Sequence, residues 1–411
     1  MNYIKTKNNP EHGSILYIES LLALILMIST FLRYHHNMAN MYLEQKIGTS
    51  ISPYAWYMLV IILIAFLIFI GNSTAWVKER RFIYYGFLYS VAGFLSLLAS
   101  RAYTPIEWPM IMIDISYWLW IIVLSYFGSL KINTLKYFTF ASVVAVSFYL
   151  VTFFRIRQGF AVESTRGYNA IFYISYFLPP ILLLKSKVVK SFYLVLIFAA
   201  IIVSVKRAPL VGYLTAVASF YFCTLKFKGI GISRKLLAFL GLALLFIILA
   251  ILYKELSAMG FAIGTRMENV VKDQGSGRIG IFLATFNHLS SQSFFEWIIG
   301  NGYGAANRVG IGRAHNDIVD ILFAYGVIGL IFYLLFIYEI CKIFLDMMRF
   351  NYRHAGAFAA SLAMYFWIGN TEMSITIPYS FILNALFWGW VIADFHNAKR
   401  YADPERLGVL S

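Results

Sequence analysis

The 411-residue chain is 60% hydrophobic and only 13% charged, whereas a soluble globular domain carries roughly 25% charged residues. This composition excludes an ordinary soluble protein and indicates a chain that crosses a membrane many times. The net charge of +15 does not point to nucleic acid, because the lysines and arginines fall in short clusters between apolar runs, as in loops that stay in the cytoplasm.

Apolar runs long enough to span a bilayer recur along the whole sequence. A spanning helix needs roughly 20 mostly apolar residues, and about twelve such runs can be counted. The sequence therefore predicts an all-α polytopic membrane protein with spans at 14–32, 54–71, 82–100, 109–128, 137–154, 169–184, 191–205, 208–225, 236–253, 316–341, 355–370 and 379–395.

Local signals refine this layout. Lys206 and Arg207, followed by Pro209, divide the apolar stretch 191–225 in two, because charge is costly at the bilayer centre. The first run lacks a small-residue cleavage pattern, which predicts a retained first span. Cys223 and Cys341 each end an apolar run and are interpreted as ordinary membrane residues without a disulfide.

The distribution of cations predicts the orientation. With the N-terminus in the cytoplasm, most lysines and arginines fall on the cytoplasmic side, as the positive-inside rule expects. Both termini are then cytoplasmic, and the cytoplasmic clusters lie at 5–7, 78–81, 131–136, 185–190, 226–235, 342–353 and 399–406.

One long loop, residues 254–315, faces outward in this topology. It contains the aromatic and apolar stretch "FFEWIIG" between the glycine-rich turns "DQGSGRIG" and "GNGYG", so short helices are predicted within it. The organisation is nine spans in 1–253, the structured loop in 254–315, and three spans with a cytoplasmic tail in 316–411. We expect function in the loop, because rigid scaffolds tend to carry their chemistry on loops.

Two arginines are candidate anion ligands. Arg207, in "SVKRAPLVGYL", lies at an outward junction between two spans, where it would either hold a phosphate or extend to lipid headgroups. Arg278, in "GSGRIGIF", follows small residues and precedes a predicted helix whose N-terminus would also favour an anion. Its alternative is a solvated loop arginine.

His315 is the histidine next to the outer membrane surface at the end of the long loop. A neutral imidazole there can take a proton from a hydroxyl near pH 7. The alternative is a plain position before a helix that Asn316 or Asp317 caps. A metal site is not predicted, because His288 and His315 have no ligand cluster near them in sequence.

Acidic residues within predicted spans should face the bundle interior, because carboxylates are expensive in lipid. Asp317 and Asp320 are three residues apart and share one helical face. They could orient an arginine such as Arg313 or bind a sugar hydroxyl.

Several of these residues together resemble a known family. His315–Asn316, nine further residues, and then Gly326 and Gly329 form a pattern similar to that of the bacterial O-antigen ligase and Wzy-type O-antigen polymerase superfamily. The upstream "GNGYG", the "SGR" at Arg278 and "SVKRAPLVGYL" resemble further family features in the same order. The likeness covers roughly residues 195–345, and Lys206 departs from it where serine usually precedes the arginine.

The resemblance implies a membrane glycosyltransferase of the bacterial inner membrane. Such enzymes transfer a glycan from an undecaprenyl-diphosphate carrier to an acceptor sugar at the periplasmic face, without a metal or other cofactor. It implies that Arg207 and Arg278 bind the diphosphate and that His315 activates the acceptor hydroxyl. Supporting roles are predicted for Arg313, Asn316, Asp317, Asp320 and Gly302.

The resemblance leaves the exact reaction open. A repeat-unit polymerase is favoured over a ligase that uses lipid A core, because the aromatic richness and the loosely matched first half suit an enzyme that varies with its repeat unit. A chain-length regulator is an implied partner of a polymerase. A glycolipid flippase or exporter is a more remote alternative, because no internal repeat is found. The roles of Arg266, Arg308 and Arg313 stay open.

Overall fold

The computed structural model describes residues 24–25, 27–28, 53–71, 80–100, 107–131, 135–157, 170–204, 206–227, 278–371 and 381–402. Across these ranges the regular structure is helical and no strand occurs. The helices are α1 (Pro53–Gly71), α2 (Arg81–Ser100), α3 (Trp108–Lys131), α4 (Leu135–Arg157), α5 (Ile171–Ser175), α6 (Leu178–Leu182), α7 (Lys187–Val203), α8 (Arg207–Phe227), α9 (Arg278–Ser290), α10 (Phe294–Ile299), α11 (Ala305–Arg308), α12 (Asp317–Arg349), α13 (Ala355–Thr371) and α14 (Ile382–Ala402).

Five of these helices are long and apolar enough to cross a bilayer: α2, α3, α4, α8 and α12. The protein is therefore consistent with a multi-pass membrane protein. The break that was predicted between residues 205 and 208 is confirmed, because α7 ends at Val203 and α8 begins at Arg207. The predicted spans 14–32 and 236–253, apart from four residues of the first, lie outside the described residues, as does Arg266.

The predicted span 169–184 is apolar and helical, but the prediction of one continuous helix there is wrong. Two short helices, α5 and α6, replace it, and Pro179 and Pro180 occupy the first turn of α6. Proline has no N–H to donate and favours the first turn of a helix. The two prolines therefore start a new helix where hydropathy alone suggested a continuous one.

The span predicted at 316–341 is both longer and broken. Helix α12 continues to Arg349, but Gly326 has φ 65° and ψ −169°, which is not helical. Only glycine adopts this region of backbone space readily. The helix thus consists of an N-terminal arm, residues 317–325, and a C-terminal arm, residues 327–349.

Glycines mark the close contacts between neighbouring helices. Gly86 of α2 packs near Phe336, the ring of Tyr89 lies 6.2 Å from the ring of Tyr333, and Gly93 packs near Tyr325, so α2 runs antiparallel to α12 from the break onward. In the same way α8 runs antiparallel to α13, with Gly212 near Met364 and Trp367 and with Thr224 near Gly356. The buried core between the helices is aromatic, and its largest members include Trp118, Trp388 and Tyr365.

These pairings give the bundle two distinct ends. The loop end is the one at which α2 finishes with Ser100, α8 begins with Arg207, α12 begins with Asp317 and α13 finishes with Thr371. The opposite end carries the first residues of α2 and α13 and the last residues of α3, α12 and α14.

Candidate functional site

The His315–Asn316 segment forms a tight turn at the loop end of the bundle. His315 is half-buried and has φ 54°, a backbone conformation uncommon for residues other than glycine. Asn316 caps α12, because its Oδ1 accepts a hydrogen bond from the amide of Val319 at 3.1 Å. Its Nδ2 donates to Oδ1 of Asn370, at the end of α13, at 3.3 Å. Of the two caps that the alternative interpretation of this segment named, Asn316 and Asp317, the structure has Asn316.

The "GNGYG" turn interlocks with the break in α12. A Cβ atom on Gly326 would lie 2.3 Å from the carbonyl oxygen of Ile298, and one on Gly300 would lie 2.4 Å from the carbonyl oxygen of Ala324. Both glycines have positive φ. The glycines of the two motifs thus let two backbones touch, which gives the spacing of the motif a structural basis.

The turn also supplies hydrogen bonds at the break. Helix geometry directs the carbonyls of Phe323 and Ala324 at amides four residues later, which lie beyond Gly326. Instead, Phe323 accepts from the amide of Asn301 at 3.1 Å and Ala324 from the amide of Gly302 at 2.8 Å. Ser96 Oγ donates to Ala324 as well, at 2.6 Å. The carbonyl groups that the break leaves without helical partners are therefore hydrogen-bonded, which stabilises the break.

Helix α10 leads into this turn and begins with a capping box. Ser293 Oγ accepts from the amide of Glu296 at 3.3 Å, and Glu296 Oε2 accepts from the amide of Ser293 at 2.9 Å. Donation to the Glu296 carboxylate from the amide and the hydroxyl of Ser293 lowers the pKa of Glu296. The box fixes the start of the helix, whose C-terminus then delivers Gly300 to the break.

Tyr303 connects the turn to the bundle. Its hydroxyl donates to Oδ2 of Asp114 on α3 at 2.8 Å, so Asp114 faces the interior as predicted. Burial, together with the Asp114 carboxylate, holds the pKa of Tyr303 well above its usual value. Arg308 donates to the carbonyls of Tyr303 and Asn301, the second at 2.6 Å, so its observed contacts hold the turn in shape.

Arg313 and Asp320 form the charged part of the site. The guanidinium carbon of Arg313 lies 6.0 Å from the centre of the Tyr303 ring. Burial lowers the pKa of Arg313. Tyr303 and the Asp320 carboxylate raise this pKa by more, so the net shift is upward. Asp320 Oδ1 accepts from the amide of Ala314 at 2.9 Å. The prediction that these acidic residues face the interior holds, since Asp317 is 1% exposed and Asp320 8%.

The bend at Gly326 brings the start of α12 back towards its own C-terminal arm. Asp317 lies within electrostatic range of Tyr333 and of Tyr365. In a straight helix, Asp317 and Tyr333 would be roughly 24 Å apart, at 1.5 Å per residue. The His315 segment therefore does not simply lead into one continuous span, as the sequence suggested.

A small cleft opens between the turn and the N-terminal arm. Its walls include Tyr303, Arg313, Asp320, Ala324 and Tyr325, and its volume is about 30 Å³. On this measure a single water needs roughly 10–15 Å³, so the cleft admits a hydroxyl group but not a whole sugar. Among the described residues His315 does not line the cleft, although Arg313 and Asp320 lie on either side of it in sequence.

The two arginines that the sequence predicts as diphosphate ligands, Arg207 and Arg278, each begin a helix. Arg207 begins α8, five residues before Gly212, which packs against Met364 and Trp367 of α13. Because α8 and α13 are antiparallel, Arg207 lies at the same end as Asn370 and hence as Asn316. Arg278 begins α9, roughly 15 Å along the helix from His288, whose ring lies 5.3 Å from that of Phe323.

Several residues of the site were not predicted. Tyr303 contacts Asp114, Ser96 contacts Gly302, and Asn370 contacts Asn316. These pairs are 54 to 206 positions apart in sequence. The tyrosine of "GNGYG" was the one available signal. Among the described residues there is no group of three or more histidine, cysteine or acidic side chains that could hold a metal ion.

Comparison with known proteins gives no relative: no family model matches this chain, and no curated protein matches it.

Proposed function

We propose that this protein is a membrane glycosyltransferase that moves a glycan from an undecaprenyl-diphosphate carrier onto an acceptor sugar at the periplasmic face, acting as a polysaccharide repeat-unit polymerase. Arg207 and Arg278 bind the diphosphate, and His315 activates the acceptor hydroxyl. This assignment rests on the residue chemistry and on the motif resemblance described above.

The observation that carries the proposal is that Arg207 and the His315–Asn316 segment lie at the same end of the bundle. Asn316 contacts Asn370 at 3.3 Å, and the antiparallel packing of α8 on α13 puts Arg207 at the same level. Arg207, which is always charged, and His315, which precedes Asn316 and can accept a proton, therefore lie at the same end of the bundle although they are far apart in sequence. Leaving-group stabilisation and hydroxyl activation need this pair of groups.

In the proposed reaction, the acceptor hydroxyl oxygen forms a bond to the anomeric carbon of the donor glycan. The bond from that carbon to the diphosphate oxygen breaks, and the diphosphate leaves with the electron pair. The hydroxyl proton passes to His315. The arginines offset the charge that develops on the leaving diphosphate, which is worth most in a partly dehydrated site.

The cation distribution supports a periplasmic site. The opposite end of the bundle carries Arg81, Lys131, Arg349, Arg353 and Lys399 close to the ends of its helices. The positive-inside rule assigns an end of this kind to the cytoplasm. The loop end then faces the periplasm, where a carrier-linked glycan would be polymerised.

The decisive experiment reconstitutes the purified protein with an undecaprenyl-diphosphate-linked repeat unit, with and without lipid A core. A ladder on the carrier lipid alone supports a polymerase. A single shift that needs lipid A core would identify a ligase. Movement of the glycolipid across the bilayer without any new glycosidic bond would identify a flippase and contradict the proposal.

His315 gives the matched test by mutation. His315→Asn should lower the rate by about 10²- to 10⁴-fold, the usual contribution of a general base. Asparagine adopts positive φ more readily than most residues, so the turn should keep its conformation. His288→Ala, which removes the other histidine between residues 278 and 317, is the control and should keep most activity. If His315→Asn kept as much activity as His288→Ala, His315 would be excluded from the reaction.

A further inference from the structure

We infer that the cleft beside the "GNGYG" turn is a hydroxyl-binding subsite for the acceptor sugar, with Asp320 as the residue that accepts the hydrogen bond. The inference rests on the proposed function and adds to it a binding residue for a second acceptor hydroxyl, distinct from the one that reacts.

Asp320 has one oxygen that lacks a hydrogen bond. Its Oδ1 accepts from the Ala314 amide at 2.9 Å. Its Oδ2 is buried and makes no hydrogen bond among the residues that the structure describes. The whole residue is only 8% exposed, so bulk water does not readily supply the missing donor. A buried carboxylate oxygen without a donor is costly. A fold retains such an atom most readily where a ligand or water supplies the donor.

The surroundings of Asp320 select the chemistry of that donor. The carboxylate disfavours an anion, so the diphosphate of the carrier does not fit here. Arg313 is cationic and lines the same cleft, which disfavours a metal ion or an ammonium group. A neutral hydroxyl donor satisfies both charges, because it can donate to Asp320 and accept from a cationic group.

Size and position agree with this choice. The cleft of about 30 Å³ has room for a hydroxyl group, since a single water needs roughly 10–15 Å³ on this measure. The Asp320 carboxylate lies beside the His315 segment, because its Oδ1 accepts from the amide of Ala314, the residue before His315, at 2.9 Å. A sugar whose reacting hydroxyl lies at His315 can therefore place a neighbouring hydroxyl at Asp320.

The test measures acceptor kinetics in the reconstituted full-length protein. The probe is a water-soluble alkyl glycoside of one repeat unit, titrated as acceptor at a fixed, saturating concentration of the carrier-linked donor. Asp320→Asn places an amide N–H₂ where Oδ2 was, so it should raise KM for the acceptor about 10- to 100-fold, the usual effect of a hydrogen bond to a charged group, with kcat within a few-fold. Asp346→Asn, on the same helix and paired with Arg349 at 3.6 Å, is the control and should change neither constant.

Deoxy analogues of the acceptor test the same contact in the wild-type protein, where no substitution can disturb folding. In the wild type, one single-deoxy analogue should raise KM by a similar factor, and that same analogue should cause no further rise in Asp320→Asn. The inference is overturned if every deoxy analogue acts equally on both proteins, if none raises KM in the wild type tenfold, or if Asp320→Asn lowers kcat alone. An inactive wild type, with any acceptor, would instead remove the proposed function and this subsite with it.

Discussion

Gly326 is under two independent constraints, one on its backbone angles and one on the space around it. Its φ of 65° and ψ of −169° belong to a region that is essentially restricted to glycine, and an added Cβ would meet backbone atoms of Ile298 and Gly300 within 2.6 Å. We expect Gly326→Ala to lower the free energy of unfolding by about 3 kcal/mol or more. The measurement is the thermal unfolding midpoint of the purified protein in detergent.

Gly310 offers a matched control for this substitution. It also has a positive φ, of 75°, but an added Cβ would find nothing within 4 Å. Gly310→Ala should therefore cost only the conformational penalty, about 1–2 kcal/mol. Equal losses in the two variants would mean that the close approach of the turn to the helix break contributes nothing to stability.

At the level of single residues, the sequence indicated helix capping and burial better than it indicated contacts. The capping role of Asn316 and the interior position of Asp317 follow from local rules on helix starts and on charge in membranes. The contacts of Tyr303 with Asp114, and of Asn316 with Asn370, join positions 189 and 54 residues apart. No pattern within a short window contains such pairs, so they could be found in the folded chain only.

At the level of elements, the sequence predicted where helices lie and the break between residues 205 and 208, but it missed two other breaks. The predicted spans at 82–100, 109–128, 137–154 and 208–225 correspond to helices α2, α3, α4 and α8. The breaks at Gly326 and before Pro179 were missed, because both sites lie inside uniformly apolar runs. Backbone angles and missing N–H groups, to which hydropathy is blind, decide those two positions.

Helix α9 exposes an apolar face. Ile279, Leu283 and Phe286 are 52–59% exposed, and their spacing of four and three residues puts them on one side of the helix. Phe294 and Phe295 of the next helix are 81% and 61% exposed. A face of this kind is unfavourable in water. Since α9 packs on the apolar helix α12, we expect this face to contact the acyl chains of the outer leaflet.

Spin labels can test where this face lies. A label on Leu283→Cys, with Cys223 and Cys341 replaced by serine, should be relaxed strongly by oxygen and weakly by a water-soluble nickel complex in reconstituted vesicles. A label on Asn307, an exposed residue of α11, is the reference and should show the opposite preference. Equal access of the nickel complex to both labels would place the face in water.

At the level of the whole molecule, the two ends of the bundle differ in what they carry. The opposite end collects the lysines and arginines at the termini of α2, α3, α12 and α14. The loop end collects the helix break, the glycine turn, Arg207 and the His315 segment. This separation requires helix directions to alternate, as the sequence predicted from its apolar runs and cationic clusters. The orientation in the membrane can therefore be tested with one labelled residue at each end.

We expect a membrane-impermeant maleimide to label Asn307→Cys from outside the cytoplasmic membrane and to label Lys185→Cys only after permeabilisation. Both residues are exposed; Asn307 lies in α11 at the loop end, and Lys185 precedes α7 at the opposite end. Cys223 and Cys341 are replaced by serine, so each variant has one thiol. The positive-inside rule gives the physical reason, because translocating the cationic end is disfavoured. The reverse pattern would put the His315 segment in the cytoplasm, out of reach of a periplasmic acceptor sugar.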